Sequence, residues 1–119
     1  MQRFTELKVW QKSHALTFRV YRLTKSFPTD ERYGLTSQLR RAALSVPTNI
    51  AEGSKRLTNA EYARSLNIAE GSLAETEYLL MVSRGLRYLP EPAAKPILAE
   101  CDEIAKMLHG LRAKVTKTS

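Results

Sequence analysis

Four cations set the first chemical possibility of this sequence. At ~3.6 residues per turn, Lys8, Lys12, Arg19 and Arg22 fall on one helical arc of roughly 80°, with Ala15 completing the row and no acid on it. Lysine offers a compact ammonium and arginine a planar fork of N–H donors, and both suit phosphate oxygens. Residues 1–28 hold six Lys or Arg and one Glu, so they carry +5 of the chain's net +7. A positive balance gathered on one helix is the footprint expected of a phosphate-binding surface. A solvated basic face has the same pattern. Arg40, Lys55 and Arg56 extend the candidate nucleic-acid-binding set to seven residues.

The remaining reactive side chains lack partners that name a reaction. His14 lies on an apolar stripe and His109 near the end of the last helical stretch. Glu52 and Glu70 occupy matching positions in a hexamer, Asn-Ile-Ala-Glu-Gly-Ser, that occurs at 49–54 and again at 67–72. Two acids five turns apart are weak grounds for acid–base work. There is no Gly-rich phosphate loop, nucleophile elbow or Glu-x-x-His pair, and no Cys/His cluster with zinc-ligand spacing. Cys101, the single cysteine, sits within an apolar stripe and reads as a buried structural thiol. The expectation is a protein with no catalytic residues, no metal and no cofactor.

A second constellation lies in residues 38–54. Leu35, Leu39, Ala42, Val46, Ile50 and Gly53 form the stripe of a helix laid against a core. About a quarter-turn away run Gln38, Arg41, Ser45, Asn49 and Glu52, a polar stripe that reads as an oligomer contact or a structural network. Pro47 interrupts both stripes. It has no N–H for the carbonyl of Ala43, so the helix is expected to kink or restart near Ser45, with the polar neighbours satisfying the freed carbonyl.

The stretch QLRRAALSVPTNIAEGS (38–54), with FPTDERYGL (27–35) and VWQKS (9–13) before it and IAEGSLAETE (68–77) after it, resembles the four-helix-bundle proteins encoded in intervening sequences of bacterial large-subunit ribosomal RNA genes. The resemblance spans nearly the whole chain and is weakest after Leu89. It implies an all-α, up-down antiparallel four-helix bundle that assembles as a homopentamer. Relatives of that family include the accessory variability proteins of diversity-generating retroelements, pentamers that bind nucleic acid and a reverse transcriptase.

The elements that must position these residues follow the same scheme. A chain of 119 residues with 43% apolar content suits one domain, and the absence of Asn-Gly or Asp-Gly turns and of alternating apolar runs favours helices over strands. Helices are predicted at about 5–25, 30–55, 58–89 and 92–115. Thr5 is the expected cap of the first, Thr29 or Asp30 of the second, and Thr58 with Glu61 forms a capping box for the third. Ile97, Cys101, Ile104, Leu108, Leu111 and Val115 make a heptad stripe on the fourth. Gly53 reads as a helix end, whereas Gly71 falls mid-helix, where a close approach is expected. The first and third helices each carry two apolar stripes: Val9, Leu16, Val20, Leu23 and Phe27 beside Leu7, Trp10, His14, Phe18 and Tyr21 on one, and Tyr62, Leu66, Ala69, Leu73 and Leu80 beside Ile68, Ser72, Leu79, Val82 and Leu86 on the other. Two-sided helices suit a homo-oligomer.

The longest apolar run is residues 78–82, and the N-terminus has no apolar h-region, so neither a membrane span nor a signal peptide is expected and the cytoplasm is the predicted compartment. Two readings of different class fit the sequence. One is an oligomeric accessory protein that binds nucleic acid, RNA in preference. The other is a protein-interaction scaffold that docks a partner protein without touching nucleic acid.

Overall fold

The computed structural model describes residues 3–118. Within them the chain forms four α-helices and no strand: α1 Lys8–Thr24, α2 Leu35–Gly53, α3 Asn59–Gly85 and α4 Glu91–Lys117. Each helix packs against its sequence neighbours, and α4 returns to lie beside α1. Three hydrogen bonds fix the antiparallel order. Arg40 near the start of α2 reaches Thr24 at the end of α1, Tyr88 after α3 reaches Glu31 before α2, and Asn59 at the start of α3 reaches Thr118 after α4. A 27-residue helix is roughly 40 Å long, in keeping with the 45 Å long axis of the molecule. No helix among the described residues is long and apolar enough to cross a membrane.

The core is assembled from the predicted stripes. Leu35, Leu39, Ala42, Val46, Ile50 and Gly53 are all buried on α2. On α4, Ile97, Cys101, Ile104, Leu108 and Val115 are buried and Leu111 packs against them. On α1 the buried line is Val9, Leu16 and Val20, continued by Phe27 beyond the helix. Burial of this apolar surface is the main favourable term in holding four helices together.

The helix ends depart from expectation in instructive ways. Thr5 does not cap α1. Residues Phe4–Glu6 form a separate 3₁₀ turn, Leu7 is extended and packs against the core, and the carbonyl of Thr5 accepts Gln11 Nε2 at 2.9 Å. Nor do Thr29 or Asp30 cap α2, which starts at Leu35 rather than near residue 30. Thr29–Glu31 is another 3₁₀ turn, and the Glu31 carboxylate takes the Leu35 N–H with one oxygen (3.2 Å) and the Tyr88 hydroxyl with the other (3.0 Å). Thr58 does cap α3, accepting the Glu61 N–H at 3.1 Å. That helix closes in a Schellman turn with Arg87 at φ 66°, where the Tyr88 N–H reaches the Ser83 carbonyl at 2.9 Å and the Arg87 N–H reaches Arg84 at 3.0 Å.

Pro47 does not break α2, which runs uninterrupted through it. The freed carbonyl of Ala43 is met from another helix: Thr17 of α1 directs its hydroxyl to it at 3.2 Å, and both residues are buried. The polar neighbours of Pro47 bond elsewhere. Asn49 Nδ2 donates to the Ser45 carbonyl at 2.9 Å and to its hydroxyl at 3.0 Å, and Ser45 pairs with Ser72 of α3 at 2.9 Å.

Of the two glycines of the repeated hexamer, Gly53 ends α2 as expected and Gly71 lies within α3, but the close approach expected at Gly71 falls at Gly53 instead. A Cβ on Gly53 would lie 2.6 Å from the Ser65 Cβ and 3.0 Å from the Tyr62 ring, so the close approach of α2 to α3 is here. A Cβ on Gly71 would meet nothing within 4 Å.

Candidate nucleic-acid interface

Lys8, Lys12 and Arg19 lie on the side of α1 that runs along α4, whereas Arg22, the last of the arc, lines the groove between α1 and α2. Lys12 Nζ lies 2.6 Å from Glu103 Oε1, and the Arg19 guanidinium is paired with the Glu100 carboxylate. The arc has no acid of its own, yet α4 supplies two. Glu103 holds the Lys12 ammonium above the usual lysine range, first through the hydrogen bond and then through its charge. Lys8 and Arg22 are exposed and take part in none of the described ion pairs. An open groove runs along this seam, lined by Lys8, Gln11, Lys12 and Ala15 from α1 and by Glu100 and Glu103 from α4.

The other candidate cations separate into two groups. Arg40 is engaged within the fold: its Nε donates to the Thr24 hydroxyl at 2.8 Å, its Nη2 to the Tyr21 carbonyl at 3.3 Å, and its guanidinium sits 4.8 Å from the Tyr21 ring centre. It clamps the end of α1 to α2. Lys55 and Arg56 are exposed on the turn after α2, beside Ala51 and Glu52, and are outside the described ion pairs.

The polar stripe of α2 is likewise divided. Ser45 and Asn49 are half-buried and belong to the α2–α3 network. Gln38 and Arg41 are exposed and line a groove with Ser45, Ser72 and Glu75, while Glu52 faces the cleft at Lys55.

Beside the basic seam lies an aromatic face. Trp10, His14 and Phe18 form a ladder along α1, continued by Phe4 of the preceding 3₁₀ turn, with ring centres 5.1, 4.6 and 4.8 Å apart from Phe4 to Phe18. Phe18 is 52% exposed, and with Tyr21, Leu44 and Pro47 it lines an open groove between α1 and α2. The second stripe of α3 is mixed: Leu79 is buried, whereas Ile68 and Leu86 are exposed, with Tyr78 and Met81 exposed beside them. Cys101 is 1% exposed, and burial, with Glu77 and Glu100 adding to it, pushes its thiol up to about 12. Among the described residues no group of three His, Cys, Asp or Glu is placed to hold a metal ion.

Sequence reasoning found the cations and missed their partners. Glu100 and Glu103 lie more than eighty residues from Arg19 and Lys12 along the chain, and no local spacing announces the pairing. Thr17 was hidden differently, since a threonine on a buried face resembles any small core residue until the proline opposite it is known.

Four antiparallel helices around one core, with a basic seam and no strand among the described residues, define an all-α up-down bundle. The chain belongs to the 23S rRNA-intervening sequence protein family, whose family model matches residues 5–110. It is similar to a crystal structure, at 1.70 Å, of a protein of unknown function from the S23 ribosomal protein family of Bacteroides thetaiotaomicron VPI-5482. The two share 27% identity with a TM-score of 0.81 over 87% of this chain and 97% of that one. No curated protein matches the sequence.

Proposed function

We propose that this protein is a non-enzymatic, homo-oligomeric accessory protein of the cytoplasm that binds nucleic acid, with RNA as the preferred ligand. The reading rests on one observation: Lys8, Arg22, Lys55 and Arg56 are exposed and outside the described ion pairs, in a chain whose net charge is +7. Such cations attract phosphate without reading bases, so binding is electrostatic and steeply dependent on salt. Membership of a family named for 23S rRNA makes RNA the first ligand to test. Assembly is supported by two separate apolar faces, Phe18 and Leu44 on one side and Tyr78 and Met81 on α3. Distinct faces suit a closed ring, in which one surface meets a different one on the next copy, and a pentamer is the preferred number.

The same aromatic groove favours the scaffold as a second reading, because exposed aromatic residues are typical anchors of protein interfaces. One experiment separates the two. RNA and DNA binding is titrated with salt for the parent and for a variant with Lys8, Arg22, Lys55 and Arg56 changed to serine, with mass measured by light scattering. The expected result is weaker binding at unchanged mass, with a log–log salt slope flatter by roughly 0.7–0.9 for each phosphate that the variant leaves unneutralised. A parent that binds neither polymer at low salt supports the scaffold instead, and a monomer mass at micromolar concentration refutes the ring.

A further inference from the structure

We propose that the α1–α4 seam is a masked phosphate groove, in which Glu100 and Glu103 occupy the cations that a nucleic acid must capture. The proposal rests on the nucleic-acid-binding reading and gives that site an internal competitor. Lys12 and Arg19 are the central members of the basic arc, and each is held by a carboxylate from the neighbouring helix. Lys8 and Arg22, at its two ends, are outside the described ion pairs. A carboxylate and a phosphate offer these cations the same interaction, a charge-assisted hydrogen bond to an anionic oxygen.

The pairs are reachable. The side chains of Lys12 and Glu103 are 46% and 53% exposed, and those of Arg19 and Glu100 are 32% and 38% exposed. The groove beside them is open, and Ala15, the small residue in the middle of the arc, contributes to its lining. Ion pairs as exposed as these contribute little to folding, so their exchange for another anion does not threaten the bundle. Asp102, the adjacent acid on α4, pairs instead with Lys106 of its own helix at 3.2 Å and does not line the groove.

Masking discriminates among ligands. A lone phosphate at Lys12 replaces one anion with another and gains little. A polymer that presents several phosphates also engages Lys8 and Arg22, for which no carboxylate competes among the described ion pairs, and the linked interactions reinforce one another. The device favours extended nucleic acid over small anions.

Glu100→Gln and Glu103→Gln keep side-chain size and remove the competing charge. Asp102→Asn removes the same charge from the same helix outside the groove. Binding of a fluorescent single-stranded RNA is measured by anisotropy across a salt series for the parent, the three single variants and the Glu100→Gln/Glu103→Gln double variant, with helicity and mass checked in parallel. The expected result is binding tighter by roughly threefold for each cation released, with the salt slope steeper by about 0.7 each, and no comparable change for Asp102→Asn. A double variant that still binds at a salt concentration where the parent and Asp102→Asn no longer do also supports the mask. Equal gains for Asp102→Asn and Glu103→Gln would reduce the effect to net charge and overturn the proposal, as would unchanged affinity and slope in the double variant of a parent that binds. If neither parent nor double variant binds, the nucleic-acid reading itself is refuted.

Discussion

Replacing Thr17 with valine exchanges one hydroxyl for a methyl group of nearly the same size, at a position that is buried. That hydroxyl has one proton and two carbonyls within reach, Ser13 at 2.9 Å and Ala43 at 3.2 Å. The Ser13 carbonyl already has the Thr17 N–H of the helical ladder, whereas Pro47 leaves Ala43 without its ladder partner. Valine therefore strands the buried Ala43 carbonyl, a loss of about 1–3 kcal/mol, offset by roughly 0.8 kcal/mol for the added apolar carbon. The expected net destabilisation is about 0.2–2.2 kcal/mol. Pro47→Ala restores an N–H to the same carbonyl, so in that background Thr17→Val should cost under about 0.5 kcal/mol. Urea unfolding of the parent, both single variants and the double variant, at one protein concentration, gives a coupling energy of about 1–2 kcal/mol if the inter-helix bond compensates for the proline. A coupling near zero, with Thr17→Val equally costly in both backgrounds, would refute the reasoning.

Three further outcomes follow from local geometry. Gly53→Ala should destabilise by about 1–3 kcal/mol because its Cβ would press on Ser65 and Tyr62, while Gly71→Ala, with open space around it, should stabilise by about 1 kcal/mol; thermal melts of both variants check the contrast. Arg87→Gly should stabilise by about 0.5–1 kcal/mol by relieving a left-handed backbone at a non-glycine residue, read as a higher urea midpoint at unchanged slope. The Cys101 thiol is raised from 9.0 to about 12 in the folded state, so the folded protein binds this proton more tightly than the unfolded one. Stability should therefore fall as pH rises between those values, by up to about 1.4 kcal/mol per unit. Unfolding curves against pH should flatten in Cys101→Ala, and an equal slope in both proteins would remove Cys101 as the cause.

The helices and their inward faces were legible because periodicity is a local property. The α4 line from Ile97 to Val115, the α2 line through Val46 and the Thr58 cap are each set by residues within a few turns of one another, and the core forms where those lines converge. The basic arc of α1 was legible for the same reason. Its chemistry was not, because two of its four cations meet carboxylates that only the return of α4 brings beside them. The starts of α1 and α2 were misplaced because tertiary packing decided them: Leu7 packs against the core, and Glu31 serves Leu35 and Tyr88 at once. The repeated hexamer separates the two kinds of information most clearly. Asn-Ile-Ala-Glu-Gly-Ser is helical in both copies up to the glycine, as local propensity requires, yet Gly53 is pressed against α3 and Gly71 faces open space. The same five residues, Asn to Gly, take the same helical backbone in both copies, but what stands opposite that backbone, and whether the helix goes on past the glycine, belongs to other parts of the chain.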